Sequence, residues 1–186
     1  MEMSPMSPDL MKGHVPKLSI ETVDRLATSD LHELCDAAEA AIMSGGGFGW
    51  LSPPPKSVME DYWRGVLMIP DRHLIVAQLD KVIAGSCQIL RPARNNEAQA
   101  FTCQLTTFFI APWARGHGLA QMIVAEAEAL AKSEGFSMIN LDVRATQDRA
   151  IQSFEARGFT KYATNEFYAK VDGEYIPGLY YRKELK

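Results

Sequence analysis

Long apolar runs, runs of like charge and paired cysteines are all scarce in this chain, and each scarcity removes a class of function. No apolar stretch approaches the ~18 residues that span a bilayer as a helix. The opening MEMSPMSPDLMKGHVP also lacks the apolar core of about 7–15 residues that a secretory signal needs. No membrane partner is expected. No run of five like charges occurs, and 19 basic against 23 acidic residues give a net charge of −4, so nothing predicts nucleic-acid binding. Three cysteines, Cys35, Cys87 and Cys103, are odd in number and far apart, which fits reduced thiols in a cytoplasmic protein better than a disulfide framework. With no CxxC and no paired-histidine spacing, no metal is expected either.

What remains is an ordinary globular composition, 47% hydrophobic and 23% charged over 186 residues, of a size for one core. Residues 1–16 read as a disordered lead-in and 17–186 as a single domain. Leu18 and Ile20 alternate as in a strand. Asp30-Leu31-His32-Glu33 and Ser57-Val58-Met59-Glu60 have capping-box spacing ahead of two helical rhythms, the first stopped by Gly45-Gly46-Gly47 and the second by Pro70. Between them GGGFGWLSPPP must be a surface connection carrying Phe48 and Trp50. HLIVAQL and VIAGSCQIL read as a hairpin turning at Asp80-Lys81, and a third strand follows over about 100–110. A helix closed by Gly135, the strand MINLDV, a helix ending at Gly158 and two strands about Asp172-Gly173 complete the order.

The segment PWARGHGLAQ, 112–121, joins the third strand to a helix. A glycine-containing strand-to-helix turn leaves several N–H groups aimed at one small volume, and that volume attracts anions. Gly116, Gly118 and the small Ala120 leave room for a phosphate there, and Arg115 adds positive charge. The stretch lacks the Gly-Lys-Ser/Thr of a Walker loop and the third glycine of a dinucleotide fingerprint. A plain alternative is that the glycines only tighten the turn.

The element order, Arg115-Gly116-His117-Gly118-Leu119-Ala120 and the later AIQSFEARGF together resemble the GNAT superfamily of acyl-CoA-dependent N-acetyltransferases. GGGFGW, DYWRGV and the tail DGEYIPGLYYRKEL are similar to its tabtoxin-resistance branch, whose members acetylate small amino compounds. The resemblance implies an α/β (α+β) fold with a mixed, mostly antiparallel sheet of six to seven strands and four helices. It implies acetyl-CoA as cosubstrate, held at Arg115, Gly116, His117, Gly118, Leu119 and Ala120, with the pantetheine arm along Phe108, Phe109 and Ile110. Gln147 and Phe154 would flank the arm. Phe48 and Trp50 would border the acceptor, a small-molecule primary amine attacked in a ternary complex by a monomer or homodimer. A CoA-binding module without turnover, or acetylation of protein N-termini or lysines, are the other readings.

Two helpers common in that family are absent. Gln104 stands where many relatives carry a Glu base, and Phe154 where they carry a Tyr. The candidates for moving protons are then Asp142, Tyr168, Tyr180, Tyr181 or a bound water, with Gln104 at the same place. His117 occupies a free motif position, and Cys103 reads as a small buried hydrophobe.

Overall fold

The computed structural model describes residues 15–46 and 49–186; most of the expected lead-in and Phe48 therefore lie outside the described residues. In chain order the elements are β1 (Leu18–Val23), α1 (Thr28–Met43), α2 (Lys56–Leu67), β2 (Arg72–Leu79), β3 (Val82–Leu90), β4 (Thr102–Ile110), α3 (Leu119–Ser133), β5 (Met138–Arg144), α4 (Asp148–Ala156), β6 (Thr160–Val171) and β7 (Glu174–Glu184). They build one seven-stranded sheet ordered β1-β2-β3-β4-β5-β7-β6. All neighbours are antiparallel except β4 and β5.

Local chemistry explains the turns. Asp80 (φ 52°) with Lys81 (φ 70°), and Asp172 (φ 51°) with Gly173 (φ 89°), are two-residue hairpin connections with both residues left-handed. That geometry matches the twist of the flanking strands. The helix starts differ from expectation, because neither capping box forms. Helix α1 begins two residues before Asp30, behind Ala27, and α2 begins behind Pro55, neither with a side-chain cap. Glu33 instead accepts the Ile83 N–H at 2.9 Å, fixing α1 to the start of β3. A carboxylate claimed by a strand cannot also reach back to its own helix end.

Alternation along β5 sorts the layers. Ile139, Leu141 and Val143 are buried against α3 and α4, whereas Asn140, Asp142 and Arg144 face the other way. On that second face α1 and α2 cover only the β2–β4 side, with Trp63, Leu34 and Ile42 packed over Leu74, Val76 and Phe109.

Two irregularities shape what is left. Strands β4 and β5 are in register only from Thr102 to Gln104 against Met138 to Asn140, and then part. At the parting β4 bulges: Thr107 and Phe108 together oppose Cys87, and Thr107 takes φ 51°. A β-branched residue there costs on the order of 1–3 kcal/mol. The extra residue inverts the alternation, so that Leu105 and Phe108 pack on the α3 side and Phe109 on the α1 side. In β6 a second shift sets Glu166, Phe167 and Tyr168 against Pro177 alone. Proline has no N–H to give a ladder, which suits it to face a bulge.

Candidate active site

The parted strands open two cavities. One, of about 350 Å³, is lined by Phe108–Ile110, by Arg115, Gly116 and Gly118–Gln121, and by Arg149 and Ser153 of α4. The other, of about 650 Å³, is lined by Trp50, Tyr62, Leu105–Phe108, Leu141–Arg144, Phe154 and Tyr168–Lys170. Phe108, Gln147 and Ala150 belong to both, and mark where the two meet.

The smaller cavity has the electrostatics of an anion site. Gly116 (φ 85°) and Gly118 (φ 84°) are left-handed, and the first bonds into α3 come from Gln121 and Met122 to the Gly118 carbonyl. Among the described residues, the N–H groups from Gly116 to Ala120 have no backbone acceptor. Such a nest, at the positive end of a 15-residue helix, holds negative charge. A Cβ on either glycine would meet nothing within 4 Å. The glycines serve the backbone angle, and the space above them is open for a ligand.

Side chains around the nest divide between ligand and loop. Arg115 donates through Nη2 to Ser44 Oγ at 2.9 Å and through Nε to the Ile110 carbonyl at 3.3 Å, so it ties the turn to the end of α1. Burial first, and Arg149 second, lower its pKa; the two guanidinium groups are thus close enough to repel. An anion between them relieves that repulsion. His117 turns its Nδ1 back to the Ala114 carbonyl at 3.2 Å and does not line the cavity, which fits a position without sequence constraint. Gln147 donates to the Gly45 carbonyl at 2.6 Å, and Arg144 to that of Gly46, so both hold the loop after α1.

Asp142 and Tyr168 line the larger cavity, and two more residues named from sequence, Gln104 and Tyr180, stand against them without lining it. Gln104 Nε2 donates to Asp142 Oδ1 at 2.9 Å, and the Tyr168 hydroxyl donates to Asp142 Oδ2. Tyr180, opposite Asp142 in the β5–β7 register, meets the Tyr168 ring edge-on at 6.2 Å. Gly178 makes this possible, because a Cβ there would lie 2.2 Å from the Tyr168 ring. Burial first, then the bond to Asp142, pushes the Tyr168 hydroxyl well above its ordinary pKa. It stays protonated at neutral pH.

Other candidates separate out. Tyr181 points to the opposite face, 1% exposed, where it donates to Glu155 Oε1 at 2.8 Å and its hydroxyl is raised to about 12 by burial and that carboxylate. Its neighbour Tyr180 takes the site face by strand alternation. Cys103 is buried, which pushes its thiol up to about 12 and leaves no thiolate for nucleophilic attack. Phe154 packs on Phe108 at 5.0 Å, and Trp50 meets Tyr62 edge-on at 5.2 Å. Sequence reasoning missed Arg149, Arg144, Tyr62 and Thr107. Arg149 carried a usable signal, a cation in the first turn of the helix that follows β5. Tyr62 and Thr107 matter through a helical rhythm and a bulge that look like core. Among the described residues no group of three or more His, Cys, Asp or Glu is placed to hold a metal ion, and no helix is long and apolar enough to cross a membrane.

Comparison with known proteins gives the family and the fold. The model of the acetyltransferase (GNAT) family matches residues 35–159. An "Uncharacterized N-acetyltransferase in hisH-hisA intergenic region" of Azospirillum brasilense is 56% identical over 132 residues, 71% of this chain and 79% of that protein. Among solved structures, an N-acetyltransferase from Staphylococcus aureus Mu50 superposes with a TM-score of 0.77 at 15% identity, over 91% of this chain and 99% of that one. A GNAT superfamily phosphinothricin acetyltransferase from Sinorhizobium meliloti, in complex with AcCoA, gives 0.74 at 16% identity, over 90% and 88%. These last two likenesses are of fold. The chain belongs to the GNAT family of acyl-CoA-dependent N-acetyltransferases.

Proposed function

We propose that the protein moves an acetyl group from acetyl-CoA to the primary amine of a small molecule, by direct attack in a ternary complex. The observation that carries this reading is the meeting of an anion-holding cavity with a carboxylate-bearing one at Phe108, Gln147 and Ala150. A phenyl ring, an amide and a methyl group can hold no acyl intermediate, which favours direct transfer.

Acetyl-CoA would supply the activated acetyl group. The N–H groups of Gly116–Ala120 with Arg115 and Arg149 would hold its diphosphate, and Phe108–Ile110, at the parted edge of β4, would take its arm as an added strand. Gln147 and Phe154 flank that line. On the acceptor side Trp50 forms one wall and Asp142 supplies the charge. An amine of ordinary pKa, ~10, arrives as an ammonium and is attracted to that carboxylate. It must shed one proton before it can attack, and Asp142 or a water beside it receives that proton. As the nitrogen attacks the thioester carbonyl and the C–N bond forms it becomes far more acidic; the C–S bond then breaks, and the departing CoA thiolate takes this second proton and leaves as the free thiol. Gln104 cannot take protons, and instead donates to Asp142 together with Tyr168. Two donors on the carboxylate hold it in one orientation, a role for an amide where a carboxylate would repel.

Calorimetric titration with acetyl-CoA, paired with thiol release across a panel of primary amines, tests the scheme. Saturable binding and amine-dependent release are expected, and Gly118→Glu should abolish binding by placing a carboxylate in the nest. Unchanged affinity in that variant overturns the donor site. Intact binding with no release from any amine overturns the acceptor side.

A further inference from the structure

Gln88 of β3 has 0% exposure and lines neither cavity. Its partners define which way its amide points. Arg72 Nη1 lies 3.0 Å from Oε1, and a guanidinium can only donate. The amide nitrogen therefore faces the Tyr62 hydroxyl oxygen, 3.1 Å away, and donates to it. A phenol oxygen that receives a proton on one side must aim its own elsewhere. The partner found for it in the protein is Thr107 Oγ1, at 3.5 Å the outer limit of a hydrogen bond. Tyr62 and Thr107 both line the larger cavity. The Tyr62 ring is wedged between Trp50 at 5.2 Å and Trp63 at 4.9 Å, so it cannot swing to a better acceptor.

We propose that Tyr62 contacts the acceptor substrate, its hydroxyl proton aimed into the cavity by the buried Gln88 and its partner Arg72, and that the acceptor is a small amine bearing a carboxylate or carbonyl oxygen. The proposal rests on the reading of this cavity as the acceptor side. Charge supports it: among the described residues Asp142 is the one acidic side chain lining the cavity, against Arg144 and Lys170. A molecule with one amine and one anionic oxygen suits that balance better than a polyamine. A carboxylate oxygen at an ordinary ~2.7 Å would also displace the long Thr107 contact.

The decisive variant is Gln88→Glu. It keeps the shape and the Arg72 bond, and reverses the second bond, because a carboxylate only accepts and would draw the Tyr62 proton out of the cavity. With tyrosine labelled by carbon-13 at Cζ, hydroxyl exchange of Tyr62 should be fast in the parent protein and at least tenfold slower in Gln88→Glu. The twenty standard L-amino acids and their decarboxylated amines serve as turnover probes. At least one amino acid should exceed its decarboxylated amine tenfold in kcat/KM. Gln88→Glu and Tyr62→Phe should each remove that preference through the amino-acid KM, and the double variant should lose no more than either. Equal exchange in the two proteins, or a preference that survives Tyr62→Phe, overturns the proposal. If no probe turns over while acetyl-CoA still binds by calorimetry, this inference fails and the donor site stands; if acetyl-CoA does not bind, the underlying reading fails as well.

Discussion

Asp142 shows how much one side chain depends on its neighbours. Both of its oxygens accept hydrogen bonds, from Gln104 on β4 and from Tyr168 on β6, so two other strands fix the plane in which the carboxylate meets the cavity. Asp142→Asn would bring an amide N–H₂ against one of those donors and remove the charge. Turnover is expected to fall by ~100-fold, the lower end of what a positioned acid–base group contributes, with acetyl-CoA affinity unchanged by calorimetry. The sequence named Gln104, Asp142, Tyr168 and Tyr180 one by one, from their places on strands. It did not reveal that they touch, because Tyr168 reaches Asp142 only through a bulge that leaves no mark on the β6 pattern. Arg115 was legible as a cation beside the nest, yet not as a tie to Ser44, which lies 71 residues away in the chain.

At the level of elements, the glycine turn and the hairpins were legible since their chemistry is local: left-handed angles favour Gly and Asp, which hold three of the four hairpin-tip positions, Lys81 being the exception. The capping boxes misled for the converse reason, because Glu33 has a tertiary partner in Ile83. Gly178→Ala tests whether β7 positions the site. The added methyl would press 2.2 Å from the Tyr168 ring, and kcat should fall at least ~10-fold with acetyl-CoA binding intact, at a stability cost of ~1–3 kcal/mol seen in thermal melts. Behind the sheet, Glu128 of α3 joins Arg157 at 2.7 Å and Lys183 at 2.8 Å, linking α3 to the end of α4 and to β7. Burial alone would raise its pKa, but the hydrogen bonds from both cations prevail and lower it. A lowered folded pKa contributes stability above the unfolded value of ~4.3, and that stability is lost as pH falls through the folded one. Glu128→Gln should therefore destabilise by ~3 kcal/mol at pH 7 and lose less than the parent between pH 5 and pH 3, as urea melts would show.

Across the whole molecule the charge is −4, yet the smaller cavity is lined by two arginines and no acid among the described residues. Attraction of an anionic donor is then local and subject to screening. Acetyl-CoA affinity should weaken steadily as salt rises from 0.05 to 0.5 M. Arg149→Ala should weaken it a further ~5–10-fold and flatten the salt dependence; an unaltered slope by calorimetry would place the anion away from α4. The sheet's outer rim carries one more implication. Strand β6 is 12 residues long and lies at the edge, an open ladder of the kind that recruits other chains. Its kink at Glu166–Tyr168 interrupts that ladder while it turns a tyrosine inward. A deletion that straightened the rim would leave both a hollow beside Asp142 and a flat, adhesive border along which copies could stack.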